Sequence, residues 1–143
     1  MKQFLFLSAF ALLLSSCQRD PFPLELSRFA VTWSDLDQSG TQSLDDKLNF
    51  DIQVSITAPD SDDQFITQWE FAYFVNGVFG GVLLGDNHAN ANSISAELEI
   101  IPRFLGSPTS EPIQAGDVVS FRLWAIDNYG TQLEQFHTIS LQP

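Results

Sequence analysis

The sequence predicts an all-β fold, an antiparallel sandwich of about seven short strands around one core. Three observations lead there. Several segments alternate polar and apolar residues with period two, turn signals separate them, and the composition is rich in Phe, Trp, Val and Ile but poor in Lys. Such residues suit pleated, half-buried surfaces better than helices.

In chain order, Leu24 and Leu26 alternate with polar neighbours, and so do Phe29, Val31 and Trp33. The two series are out of step, which predicts a register change near Ser27 and Arg28. Residues 48–56 form the clearest strand, with every even position apolar and every odd one polar. Residues 65–84 read as two strands joined at Asn76-Gly77, a strong hairpin signal because both turn positions need positive φ. Trp69, Phe71 and Tyr73 share one face of the first of these and are expected in the core. Ile94, Ala96, Leu98 and Ile100 repeat the alternation. Residues 117–127 and 131–141 make a final hairpin, in which Phe121, Leu123, Ala125 and Asp127 face one way. Leu133, Phe136 and His137 break the alternation of the last strand, which predicts a bulge there. The stretch from Gly116-Asp117-Val118 to Ala125-Ile126-Asp127-Asn128-Tyr129-Gly130 resembles the penultimate strand and turn of fibronectin III and related bacterial immunoglobulin-like domains. That resemblance implies an immunoglobulin-like sandwich and no particular activity.

Ahead of the strands, Met1-Lys2-Gln3 precedes an apolar run over residues 4–14 and then Leu14-Ser15-Ser16-Cys17. One positive charge, a short apolar run and small residues at its end make a secretory signal. The run is far below the roughly 20 residues needed to span a bilayer. Leu-Ser-Ser-Cys resembles the lipobox of bacterial lipoproteins, which implies diacylglycerol on Cys17, cleavage before it, and acylation of the new N-terminus. Cys17 is the only cysteine, so no disulfide forms within the chain. Gln18-Arg19-Asp20 resembles the surface-export signal of Bacteroidota lipoproteins, with Arg19 for the more usual Lys. The implied address is the outer membrane, anchored by lipid and surface-exposed. The expected division is a signal peptide over 1–16, a lipidated cysteine and tether over 17–23, and the sandwich over 24–143. From Gln18 to Pro23 the tether reaches only about 20 Å.

Without residues 1–16 the chain keeps five basic and all eighteen acidic residues, a net charge of −13. That field excludes nucleic acid and anionic lipid as electrostatic partners. It does not exclude cations. Between the first two strands, acids at Asp35, Asp37 and Asp46, hydroxyls at Ser39 and Thr41, and a bend at Gly40 resemble an EF-hand calcium loop in spacing. Calcium is therefore the one cofactor for which the sequence offers ligands. The flanks are strands rather than helices, however, and Asp46 is shorter than the usual glutamate. An Asp-rich turn serving only its own backbone is the competing reading.

No catalytic constellation emerges. His88 and His137 lack acids or cysteine at metal-ligand spacing, and Gly77, Gly80, Gly81 and Gly85 lack the lysine and helix of a phosphate cradle. Arg122 and Trp124 alternate with core positions and so face outward, and Phe74 does the same beside Trp69. An aromatic surface beside a guanidinium suits protein or sugar contact. The expected function is a non-catalytic interaction or structural module of the cell envelope, binding an envelope protein. The alternative is a calcium-stabilised carbohydrate-binding sandwich at the cell surface.

Overall fold

The computed structural model describes residues 21–36, 38–57 and 63–142. The expected signal segment with its helix, Cys17 and Asp37 lie outside the described residues. Seven strands form: β1 (Leu24–Ser34), β2 (Lys47–Ile56), β3 (Ile66–Val75), β4 (Val78–Asp86), β5 (Ser93–Ile100), β6 (Val118–Asp127) and β7 (Gln132–Ser140). They build two antiparallel sheets, β1-β2-β5 and β4-β3-β6-β7. The result is a sandwich consistent with an immunoglobulin-like domain. β4 stays beside β3, where variable-type immunoglobulin domains carry their extra strand.

The alternation of each strand fills the space between the sheets. Phe50, Phe71 and Phe121 meet at its centre, each fully buried. Phe50 lies 4.9 Å from Phe71 and 4.8 Å from Phe121 between ring centroids, and Phe71 stacks on Phe121 at 5.9 Å. Burying one such side chain contributes about 1.5–3 kcal/mol, with about 0.5–1.5 kcal/mol more for each well-oriented ring pair. Leu48, Ile52 and Val54 from β2 and Val119 and Leu123 from β6 extend the core on either side.

The register change in β1 falls between Leu26 and Arg28, where Ser27 drops out of the pairing with β2. Its hydroxyl bonds Ser55 Oγ at 2.7 Å. The slip lets both Leu24 and Phe29 face the core although their spacing is odd. Asn76 and Gly77 turn with φ of 50° and 79°. Asn76 also ties the turn to β6, donating to Asp117 and accepting from the Val118 amide. β4 slips register against β3 twice, leaving Leu83 and Gly80 without partners. The second slip has a visible cause. The Tyr73 ring lies on the β4 backbone, so that a Cβ at Gly80 would stand 2.2 Å from Tyr73 Cε2. Tyr73 Oη donates to the Gly106 carbonyl at 2.7 Å, which fixes the ring from the other end.

The bulge expected in β7 does not form. Pairing with β6 runs unbroken from Val118–Ser140 to Ile126–Gln132. Parity is kept and the chemistry departs from it: Gln135 and His137 share the inward side with Leu133 and Ile139, and Phe136 faces out. β7 is an edge strand, so its inward positions other than Ile139 are only half-buried and tolerate polar groups there.

At the end where the chain enters, Gln64 is buried and grips Phe22 twice. It accepts from the Phe22 amide at 3.0 Å and donates to its carbonyl at 2.7 Å. The same Nε2 donates to Asp127 at 2.6 Å, and Asp127 accepts the Tyr129 and Thr131 amides of the β6–β7 turn. Asp127 thus belongs to the inward series, as its alternation predicts, and is buried there because three donors of the chain satisfy its carboxylate. Phe22, in the segment expected to be tether, is held against the sandwich by this grip.

His137 packs edge-on against Phe50 at 5.9 Å, and its Nε2 is buried without a hydrogen-bond partner. Burial lowers its pKa below the ordinary 6.5. The unfolded chain therefore binds this proton more readily than the folded one, and stability falls as pH drops below about 6.5. Asp117, held below 3.8 by the Gln114 amide and then Asn76, loses its contribution only in stronger acid. Denaturant titrations between pH 7.5 and 5.5 should show a stability loss in the native chain that His137→Phe largely removes.

Candidate functional site

The two outer faces of the sandwich differ in kind. On the β1-β2-β5 sheet the outward residues are small, polar or charged, and both cations are paired. Arg28 meets Asp51 at 2.7 Å and Lys47 meets Glu99 at 2.9 Å. Glu97 stands directly across from Asp51, a like-charge pairing that the Arg28 contact offsets.

On the β4-β3-β6-β7 sheet the outer face carries large apolar residues. Phe79, Val82 and Phe136 are 52%, 52% and 49% exposed. Phe79 and Val82 differ by an odd number of positions, yet both face outward, opposite Phe74 and Ala72. The slip at Gly80 makes this possible. Phe74 meets Phe79 edge to face at 5.6 Å. Phe136 lies across from Arg122.

Arg122 is the hub of this face. Its guanidinium stands 5.4 Å from the Phe74 ring centroid, pairs with Glu70 on the neighbouring strand, and reaches Glu134 at 3.7 Å on the other side. Its Nε is buried without a hydrogen-bond partner. Phe74, Arg122 and Trp124, which the sequence places outward, are indeed on one face, all half-buried rather than open. Next to Arg122, a shallow groove is lined by Gln68, Glu70, Arg122, Trp124, Gln132 and Glu134. Glu70, Trp124 and Glu134 form one row across three strands, since Trp124 pairs with both acids in the two ladders. Trp124 Nε1 points to Gln132 Oε1 at 3.4 Å. Gln68, Glu70, Gln132 and Glu134 do not stand out in the sequence, because outward polar residues are ordinary until the register aligns them.

The loop over 35–46 is organised around its own backbone. Asp35 accepts the Ser39 and Gly40 amides at 3.1 and 2.8 Å, one on each carboxylate oxygen. Asp46, only 1% exposed, accepts the Leu36 and Ser43 amides, both at 2.8 Å. Ser39 Oγ donates to the Thr41 carbonyl and accepts the Thr41 amide. Gly40 takes φ of 75°, as a sharp bend there requires. Among the described residues no three of His, Cys, Asp and Glu gather where they could hold a metal. Asp37 lies outside that set. His88 caps a turn through its amide on Asp86 and remains exposed.

Neither family models nor curated proteins nor solved structures return a match to this chain. The site therefore rests on its own geometry.

Because the Asp46 oxygens are engaged by amides of the chain itself, Asp46→Ala leaves two loop amides without their acceptor. The expected loss is about 2 kcal/mol, on the scale of unmade buried hydrogen bonds. Thermal or chemical denaturation should give the same loss in millimolar calcium and in excess EDTA. A loss confined to calcium would instead assign the loop to an ion.

Proposed function

We propose that this chain is a non-catalytic binding module of the bacterial cell envelope, which presents the outer face of the β4-β3-β6-β7 sheet to a protein partner. The observation that carries this reading is the asymmetry of the two faces. One is hydrophilic with both of its cations paired, and the other exposes about half of Phe79, Val82 and Phe136 around Arg122. Exposed large apolar side chains around a central arginine are the composition of protein interface cores. Arg122 is suited to such a place because Glu70, Glu134 and Phe74 already satisfy much of its charge.

On this reading lipid on Cys17 tethers the domain to the outer membrane and the Gln64–Phe22 grip sets its attitude there. The chain enters at the end holding the β6–β7 turn. The loop over 35–46 and the Asn76-Gly77 turn lie at the opposite end, away from the anchor, and the aromatic face is then turned sideways. It meets a neighbour standing in or on the same membrane.

A photo-crosslinking residue at Phe79, compared with one at Gln53 on the hydrophilic face, tests this in intact cells. Position 79 should give one discrete adduct with another envelope protein, and that adduct should vanish when Phe136→Ser is added. Equal labelling from both positions, or an adduct only with a second copy of the chain, would sink the reading.

A further inference from the structure

We infer that the groove beside Arg122 is a saccharide subsite, and that its ligand is a neutral oligosaccharide. This goes beyond the protein-partner reading: Trp124 with Gln68, Glu70, Gln132 and Glu134 lines the groove, which shares Arg122 with the apolar side of the face.

The side-chain set is the first argument. Trp124 offers a half-buried indole on the central strand of the face. The apolar C–H side of a sugar ring packs on such a surface. Around it stand two primary amides and two carboxylates. An amide both donates and accepts, and a carboxylate accepts from two hydroxyls at once. Adjacent sugar hydroxyls present this mixed demand at fixed spacing.

Placement is the second argument. Glu70 and Glu134 flank Trp124 directly in the ladders, on β3 and β7. Gln68 and Gln132 lie across from Ile126 on either side, one row further along. Rows on one face are about 7 Å apart and neighbouring strands about 4.8 Å. The polar groups therefore frame the indole at the scale of one or two sugar rings. Rigid strands hold them, and the Arg122–Glu70 pair fixes one side of the frame.

Charge chooses the class of sugar. The groove has two carboxylates against one guanidinium, within a chain of formal net charge −12. Uronic acids, sialic acids and phosphorylated sugars meet repulsion there. A protein segment is less well served, because Trp124 is the groove's one large apolar anchor and the long polar side chains around it lose rotamer freedom on contact. The anchors that a protein needs lie on β4 and at Phe136 instead.

The test uses the full chain in a non-glycosidic detergent, run by affinity electrophoresis through gels containing laminarin, dextran, mannan, xylan or polygalacturonate. At least one neutral polysaccharide should retard the chain, and polygalacturonate should not. Trp124→Ala should weaken the retardation by about tenfold or more. Gln132→Ala and Glu134→Gln, both at exposed edge-strand positions, should weaken it without altering the denaturation curve. Phe104→Ser, in a distant loop, should leave it unchanged. Retardation only by polygalacturonate, none by any neutral polymer, or full retardation in the Gln132 and Glu134 variants would overturn the inference. The crosslinking outcome at Phe79 is independent of each of these.

Discussion

Phe50, Phe71 and Phe121 form the contact on which the rest of the molecule depends. They come from β2, β3 and β6, so the cluster joins the two sheets at their centre. Once Phe121 points inward, the period of a strand sends Arg122 outward and Leu123 inward, and Trp124 outward again. The same rule on β3 buries Phe71 and turns Glu70 and Ala72 to the outside. The proposed binding face is thus the reverse side of the core, and its register is held by buried rings rather than by surface contacts. A one-residue slip in β6 would place Arg122 between the sheets, at a cost of several kcal/mol for an unpaired buried charge.

The outer face is stabilised by a system of moderate strength. Arg122 touches Phe74, Glu70 and Glu134, but all four are partly open to water, so the charge pairs contribute little to folding. Their effect is on order. They hold long side chains in one arrangement around Trp124 before any ligand arrives, which lowers the entropy lost on binding. The rings at Phe79 and Phe136 stay about half exposed, Phe79 edge to face with Phe74, and are the free apolar surface of this sheet. One face therefore carries two chemistries side by side: apolar anchors toward β4 and at Phe136, and a framed polar groove over β3, β6 and β7.

Strands and core were largely legible in the sequence because strict alternation decides them locally. Residues 48–56, the Asn76-Gly77 turn and the slip at Ser27 are all found where the pattern puts them. Legibility ended where parity and chemistry disagree. Phe136 and His137 suggested a bulge in β7, whereas an edge strand simply accepts a half-buried histidine inside and a phenylalanine outside. Phe79 and Val82 were illegible for the opposite reason. Their odd spacing assigns them to different faces, and only the Tyr73 ring lying over Gly80 explains the slip that unites them. Asp46 shows a third limit. Its spacing matches a calcium ligand and also a carboxylate that caps amides ten and three residues earlier, and spacing alone does not separate the two. The polar groove depends on cross-strand register, which no single segment encodes.

Hydroxyl-radical footprinting of the chain in intact cells, compared with the purified full chain, addresses the central claim most directly. Phe79, Phe136 and Trp124 report on the proposed face, and Phe104, at 79% exposed in the loop after β5, reports on the end away from the entering chain. The account predicts protection of the first three in cells and undiminished oxidation of Phe104. Protection of Phe104 with Phe79 and Phe136 left reactive would place the contact at the loops and contradict it.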